Sequence, residues 1–274
     1  MMSAGIFKYE TSAFSVNFNV SLILSTSSIT SYLIVNFLLG SVVLIFIASI
    51  ITLFNKDYSF IQLFELAAIS VEDIGNLSSD QQYMYYNLNT YTNLICYLLG
   101  FIVVCLFMRN HLLDDFNELK KRPIYFGVFM LIGAILFYII SILVSYGIDQ
   151  LVGVSNNQSL IEGMILNGGA VAIFFAVVVF APMVEELIYR KAIFKLLEKK
   201  HISIAYVVST IVFVLPHMLS TPITNIGDWL LLCVPYFISA ILLCMSYHLS
   251  NKNIYVSWFI HMINNLVTFI LILL

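Results

Sequence analysis

Long apolar runs separated by short polar ones dominate the chain, and the runs exceed what strands or amphipathic helices of a soluble domain use. A bilayer core takes about 20 mostly apolar residues per helix. Seven stretches fit that length, at about 30–53, 92–108, 125–146, 169–190, 202–219, 229–249 and 254–274. Residues 12–28 are apolar but rich in Ser and Asn, and read as an interfacial helix or an eighth element. The pattern predicts an all-α, polytopic transmembrane helical bundle of about seven spans, eight if 12–28 also crosses. The first long run exceeds a signal-peptide core and has no small-residue cleavage site, so it reads as a retained span.

The polar connectors then predict a sidedness. With the N-terminus inside, eleven of the twelve Lys and Arg fall on inner segments: Lys8; Arg109, Lys120, Lys121 and Arg122; Arg190, Lys191, Lys195, Lys199 and Lys200; and Lys252. The outer segments hold only Lys56, and an outer loop at 55–91 carries Asp57, Glu65, Glu72, Asp73 and Asp80 instead. This is the positive-inside asymmetry. It predicts an integral protein of the plasma membrane with a cytoplasmic N-terminus and an outer C-terminus. No internal repeat is visible. A second outer loop at 147–168, with Gly153, Asn156, Asn157, Gly163 and Asn167, divides the chain into N-terminal membrane helices with the acidic loop (1–150) and a C-terminal core (151–274).

Composition removes the alternatives to a membrane protein. Hydrophobic residues make up 61% and charged residues 10%, and mean hydropathy is +0.98. A soluble domain uses roughly 45–50% and 25%, so too few charges remain here to cover a soluble surface. A net charge of -3 offers no basic footprint for nucleic acid. The four cysteines, Cys96, Cys105, Cys233 and Cys244, sit inside apolar runs without Cys-x-x-Cys spacing and read as packing residues.

Against this background three charges stand out, Glu185, Glu186 and Arg190 in FAPMVEELIYRKAIF. Each costs roughly 2.5–3.5 kcal/mol at a helix centre before pairing. Glu186 and Arg190 are four apart on one helical face and can pair; Glu185 lies about a quarter-turn round and is not served by that pair. A wet cytosolic helix end would explain the cluster, but the apolar stripe continues through Ala192, Ile193, Phe194, Leu196 and Leu197. That continuation puts Glu185 about 15–20 Å deep. IVFVLPHMLS sets Phe213 and His217 four apart, and WFIHMINNLV does the same for His261 and Asn265, with Asn264 a weaker competitor. All fall at similar depth on three helices. Pro182 and Pro216 precede Glu185 and His217, where each frees a backbone carbonyl and can open space between spans.

A carboxylate and an imidazole converging in a low-dielectric cavity can deprotonate water, and a second His with an Asn amide can hold a developing oxyanion. No serine elbow or Cys–His arrangement stands out. The inventory fits water-mediated amide hydrolysis better than covalent catalysis.

Glu185-Glu186-x-x-x-Arg190, Phe213-x-x-x-His217 and His261-x-x-x-Asn265, in that order on successive spans, resemble the three motifs of the CPBP family. These are the CAAX prenyl proteases and bacteriocin-processing enzymes, also called the Abi family. The resemblance covers roughly residues 165–274. It implies an intramembrane endopeptidase, formerly classed as a metalloprotease, whose cavity opens toward the cytosol. It implies that Glu185 and His217 activate the water, that His261 and Asn265 form the oxyanion hole, and that Glu186, Arg190 and Phe213 support the site. The implied substrate is a membrane-associated protein or peptide: a CAAX-type tail, a pheromone precursor or a bacteriocin precursor. Lys191 stands where members often have Gly, which touches the packing below the site. No cofactor is expected, although Glu185, His217 and His261 form a set that could in principle hold zinc. The competing readings are a non-enzymatic membrane scaffold or bacteriocin-immunity protein, and a proton-coupled transporter, whose paired broken helices are not found. No feature specifies an oligomeric state.

Overall fold

The computed structural model describes residues 39–54 and 57–274; the stretch at 12–28, Lys8 and Lys56 lie outside the described residues. Among the described residues every regular element is helical. They are α1 (Leu39–Phe54), α2 (Phe60–Ala67), a 3-10 turn (Val71–Asn76), α3 (Ser79–Lys121), α4 (Pro123–Val152), α5 (Asn156–Leu197), α6 (Ile202–Met218), α7 (Ile226–Leu249) and α8 (Ile254–Leu273). Five of them, α3, α4, α5, α7 and α8, are long and apolar enough to cross a membrane; α1 and α6 are shorter apolar helices. The protein is an integral membrane protein built as an all-helical bundle.

The helices are longer than the apolar runs that announced them. α3 starts at Ser79 rather than near 92, because Ser78 and Gln81 form a capping box that starts the helix on polar residues. The expected loop at 147–168 is mostly helix as well. Gly153, at φ 77°, ends α4 in a conformation that favours glycine, and Ser155 caps α5 two residues later by accepting from the Gln158 N–H. The loop expected at 55–91 likewise holds α2, the 3-10 turn and the start of α3. Hydropathy marks where a helix meets lipid, not where it begins.

α5 joins two helices across a break at Asn167 and Gly168, where the backbone leaves helical geometry, and the second of them carries two π-helical segments, Phe174–Phe180 and Leu187–Phe194. Such widened turns shift the helix face and often lie at functional sites.

Antiparallel connections put the ends of α3, α5 and α7 at one end of the bundle. Lys191 pairs there with Asp115, and Lys252 with Glu198 at 2.9 Å. Every described Lys and Arg lies in this basic half, from Arg190 outward. A packed core including Met108, Phe126, Phe194, Tyr247 and Ile254 fills it. Exposed Tyr125 and Tyr146 stand about 30 Å apart along α4, the thickness of a hydrocarbon core.

Candidate active site

The site is built on a helix defect. In the π segment before Pro182, the Ala181 N–H donates to the Ala176 carbonyl, five residues back. The next carbonyl, that of Val177, would need the N–H of residue 182, and proline has none. The orphaned Val177 carbonyl is taken by Asn265 of α8, whose Nδ2 donates to it at 2.9 Å. Asn264 donates in turn to Asn265 Oδ1 at 3.4 Å, so the Asn265 amide is held from both ends. The second N–H of Asn265 is left for another acceptor.

One turn below, Glu185 and Glu186 are buried side by side. Glu186 Oε1 accepts from His261 Nδ1 at 3.1 Å and lies 3.3 Å from Arg190 Nη1. Arg190, fully buried, also donates to the Ala240 carbonyl at 3.1 Å. Glu185 is outside this pairing, as its position on the helix predicts. Its Oε2 has no hydrogen-bond partner and lies 3.9 Å from His261 Nε2. His261 therefore bridges the two carboxylates, one bonded and one free.

His217 of α6 donates from Nδ1 to the Phe213 carbonyl at 2.8 Å. In a neutral ring this leaves Nε2 as an acceptor. Phe213 connects the two halves of the site. The Arg190 guanidinium sits 4.7 Å from its ring centroid, and the His217 ring stacks on it at 4.8 Å. All seven residues singled out in the sequence thus converge. Glu185, His217, His261, Asn265 and Phe213 line one cavity of about 400 Å³, while Glu186 and Arg190 lie behind it.

The cavity runs toward one end of the bundle. Its remaining walls run to Asp149, Ser155, Gln158 and Leu271. These lie at the end of the bundle opposite the lysines and arginines. A cytosolic basic end and a cytosolic mouth, both expected from the sequence, are therefore mutually exclusive.

Residues 167–267 match the family model of the type II CAAX prenyl endopeptidases, Rce1-like. This segment resembles that family. The match contains all three motifs and the whole hydrogen-bonded site, over rather more than a third of the chain. It agrees with the family resemblance seen in the motifs, and the family is one of proteases. No curated protein and no solved structure matches the chain.

Several site neighbours were not anticipated. Tyr236 of α7 packs on His217 with ring centroids 4.8 Å apart, and its hydroxyl hydrogen-bonds Ser155 at 2.7 Å. On α4, Tyr138, Ser141, Ser145 and Asp149 face the cavity. Their three- and four-residue spacing is a helical stripe that the sequence displays. Lys191, expected as a cytosolic charge, is buried: Nζ donates to Asp115 Oδ2 at 2.5 Å and to the Lys252 carbonyl at 3.2 Å. That contact explains how a lysine fits where members often carry glycine. Among the described residues, no three His, Cys, Asp or Glu side chains converge closely enough to hold a metal ion.

Proposed function

We propose that the protein is an intramembrane endopeptidase that hydrolyses a peptide bond of a membrane-associated protein or peptide, using its own side chains to activate water. One observation carries this reading: a buried carboxylate oxygen, Glu185 Oε2, lies at the cavity unpartnered and 3.9 Å from a histidine. A buried charge with unused bonding capacity is costly unless it has work to do.

In the proposed reaction Glu185 takes a proton from a water that His217 Nε2 orients, and the water oxygen attacks the substrate carbonyl carbon. The oxyanion accepts from His261 Nε2–H and the second N–H of Asn265. The proton on Glu185 passes to the leaving nitrogen as the C–N bond breaks, and the second water proton stays on the attacking oxygen, which becomes the hydroxyl of the new carboxyl group. In this scheme His261 donates from both ring nitrogens, from Nδ1 to Glu186 and from Nε2 to the oxyanion. Glu186, Arg190 and Phe213 hold the rings in place without touching substrate. No metal is required by these steps.

The test compares membranes carrying wild type with membranes carrying Glu185→Gln, by mass spectrometry of new peptide termini. Termini that vanish in the variant, at equal protein abundance, support the proposal and name the substrate. An unchanged set at equal abundance overturns it.

A further inference from the structure

His217 is the penultimate residue of α6 (Ile202–Met218), and helix ends fray. The backbone there does not fix the imidazole, because the last torsion of a histidine is broad. Three contacts hold it instead. Nδ1 donates to the Phe213 carbonyl at 2.8 Å, the Phe213 ring lies 4.8 Å away with its plane 26° off, and the Tyr236 ring lies 4.8 Å away with its plane 34° off. The first two come from one turn back on the same helix. Tyr236, of α7, is the one that comes from elsewhere.

The Tyr236 ring is itself anchored. Its hydroxyl shares a hydrogen bond with Ser155 Oγ at 2.7 Å and accepts from Asn157 Nδ2 at 3.4 Å. Ser155 is buried and caps α5 by accepting from the Gln158 N–H at 3.3 Å. Between them, Asn156 holds the chain that follows His217. Its Nδ2 donates to the Ser220 carbonyl at 3.0 Å and its N–H to Thr221 Oγ1 at 3.3 Å. Three successive residues at the start of α5 therefore grip both the ring beside His217 and the backbone after it. Packing alone would call for any large apolar side chain at 236; the bonds to the hydroxyl fix the direction of the ring as well as its volume.

Resting on the endopeptidase reading above, we infer that Tyr236 is a positioning residue for the water-orienting histidine. Its ring keeps the His217 imidazole in the orientation that bonds Nδ1 and leaves Nε2 free. Its hydroxyl ties that ring to the start of α5, the helix that carries Glu185. The two groups that handle the water are thereby set against each other through Tyr236, which acts through His217 and not on the substrate. Ser155, Asn156 and Asn157 precede the segment matched by the family model, so part of the site's geometry is specified outside it.

Tyr236→Met and Tyr236→Leu remove the ring and keep an apolar side chain, whereas Tyr236→Phe keeps the ring and removes the hydroxyl. Each is purified in detergent, normalised to folded content, and assayed on a synthetic peptide spanning a junction whose termini depend on Glu185. The inference expects the ring-less variants to lose about 10²-fold in kcat with KM nearly unchanged. Tyr236→Phe should return kcat to within about tenfold of wild type. A rise in KM at constant kcat, or wild-type kcat in both ring-less variants, overturns the inference. A second readout does not depend on turnover. Histidine-selective nitrogen NMR, with the His217 signal assigned through His217→Gln, should show a single Nδ1–H tautomer in wild type and Tyr236→Phe, and a mixture in the ring-less variants. A single tautomer throughout overturns the inference. If Glu185→Gln leaves every terminus in place, the endopeptidase reading falls, and the NMR comparison still decides whether Tyr236 holds the ring.

Discussion

Arg190 and Lys191 are adjacent on α5 and both are buried cations, yet they belong to regions of opposite character. Lys191 closes a saturated knot. Asp115 Oδ2 accepts from Lys191 Nζ and from the Ile254 N–H at 2.9 Å, and the Asp115 carbonyl accepts from Asn253 Nδ2 at 2.7 Å. The turn into α8, with Asn251 and Lys252 in left-handed conformation, is fixed by these bonds and by Lys252–Glu198. Beside Arg190, which pairs with Glu186 behind the cavity at 3.3 Å, Glu185 Oε2 faces the cavity without a hydrogen-bond partner. The difference teaches how to read a charge inside a membrane protein. Burial alone marks architecture as readily as chemistry; unused bonding capacity facing a cavity marks chemistry.

The largest expected effect breaks the comparison at its active side. Glu185→Gln keeps shape but not the base, and should lower cleavage by about 10²–10⁴-fold with protein abundance unchanged, as read by quantitative terminal-peptide mass spectrometry against immunoblot. A loss of only a few-fold would show that Glu185 is not the base. Next comes Arg190→Ala, which strands Glu186 as a buried unpaired charge. Destabilisation of about 3–5 kcal/mol is expected, seen as loss of accumulation and a lowered Tm in detergent; wild-type stability would refute the ion-pair role. Asn265→Ala should lower kcat by about 10²–10³-fold with KM nearly unchanged. A rise in KM at constant kcat would instead assign Asn265 to substrate binding. The smallest effect lies on the saturated side. Lys191→Met should lower stability by about 1.5–3 kcal/mol and leave cleavage per folded molecule as it was, measured as kcat on purified protein normalised to folded content. A kcat loss comparable to Asn265→Ala would erase the distinction between the two regions.

The residues of the site were legible because their expense is visible. Two carboxylates and an arginine inside an apolar run, level with two histidines, cannot be ignored on a hydropathy scale. The partner of Lys191 was not legible: sequence gives depth along a helix but not the partner across it, and Asp115 is 76 positions away. The stripe on α4 escaped because Ser and Tyr barely perturb hydropathy, although their spacing was there to be counted. The direction of the cavity was not legible at all. It depends on which side of the motif level the core closes, and both sides of that level are equally apolar in sequence. The exact number of spans also rests on more than hydropathy, since five described helices meet the length for crossing and two shorter ones do not.

The cavity wall contributed by α4 lies outside the Rce1-like segment. On the endopeptidase reading proposed above, part of the surface that would meet a substrate is therefore written outside the motif-bearing stretch. Two proteins sharing every motif residue then need not share a substrate, and exchanging α4 between them tests that.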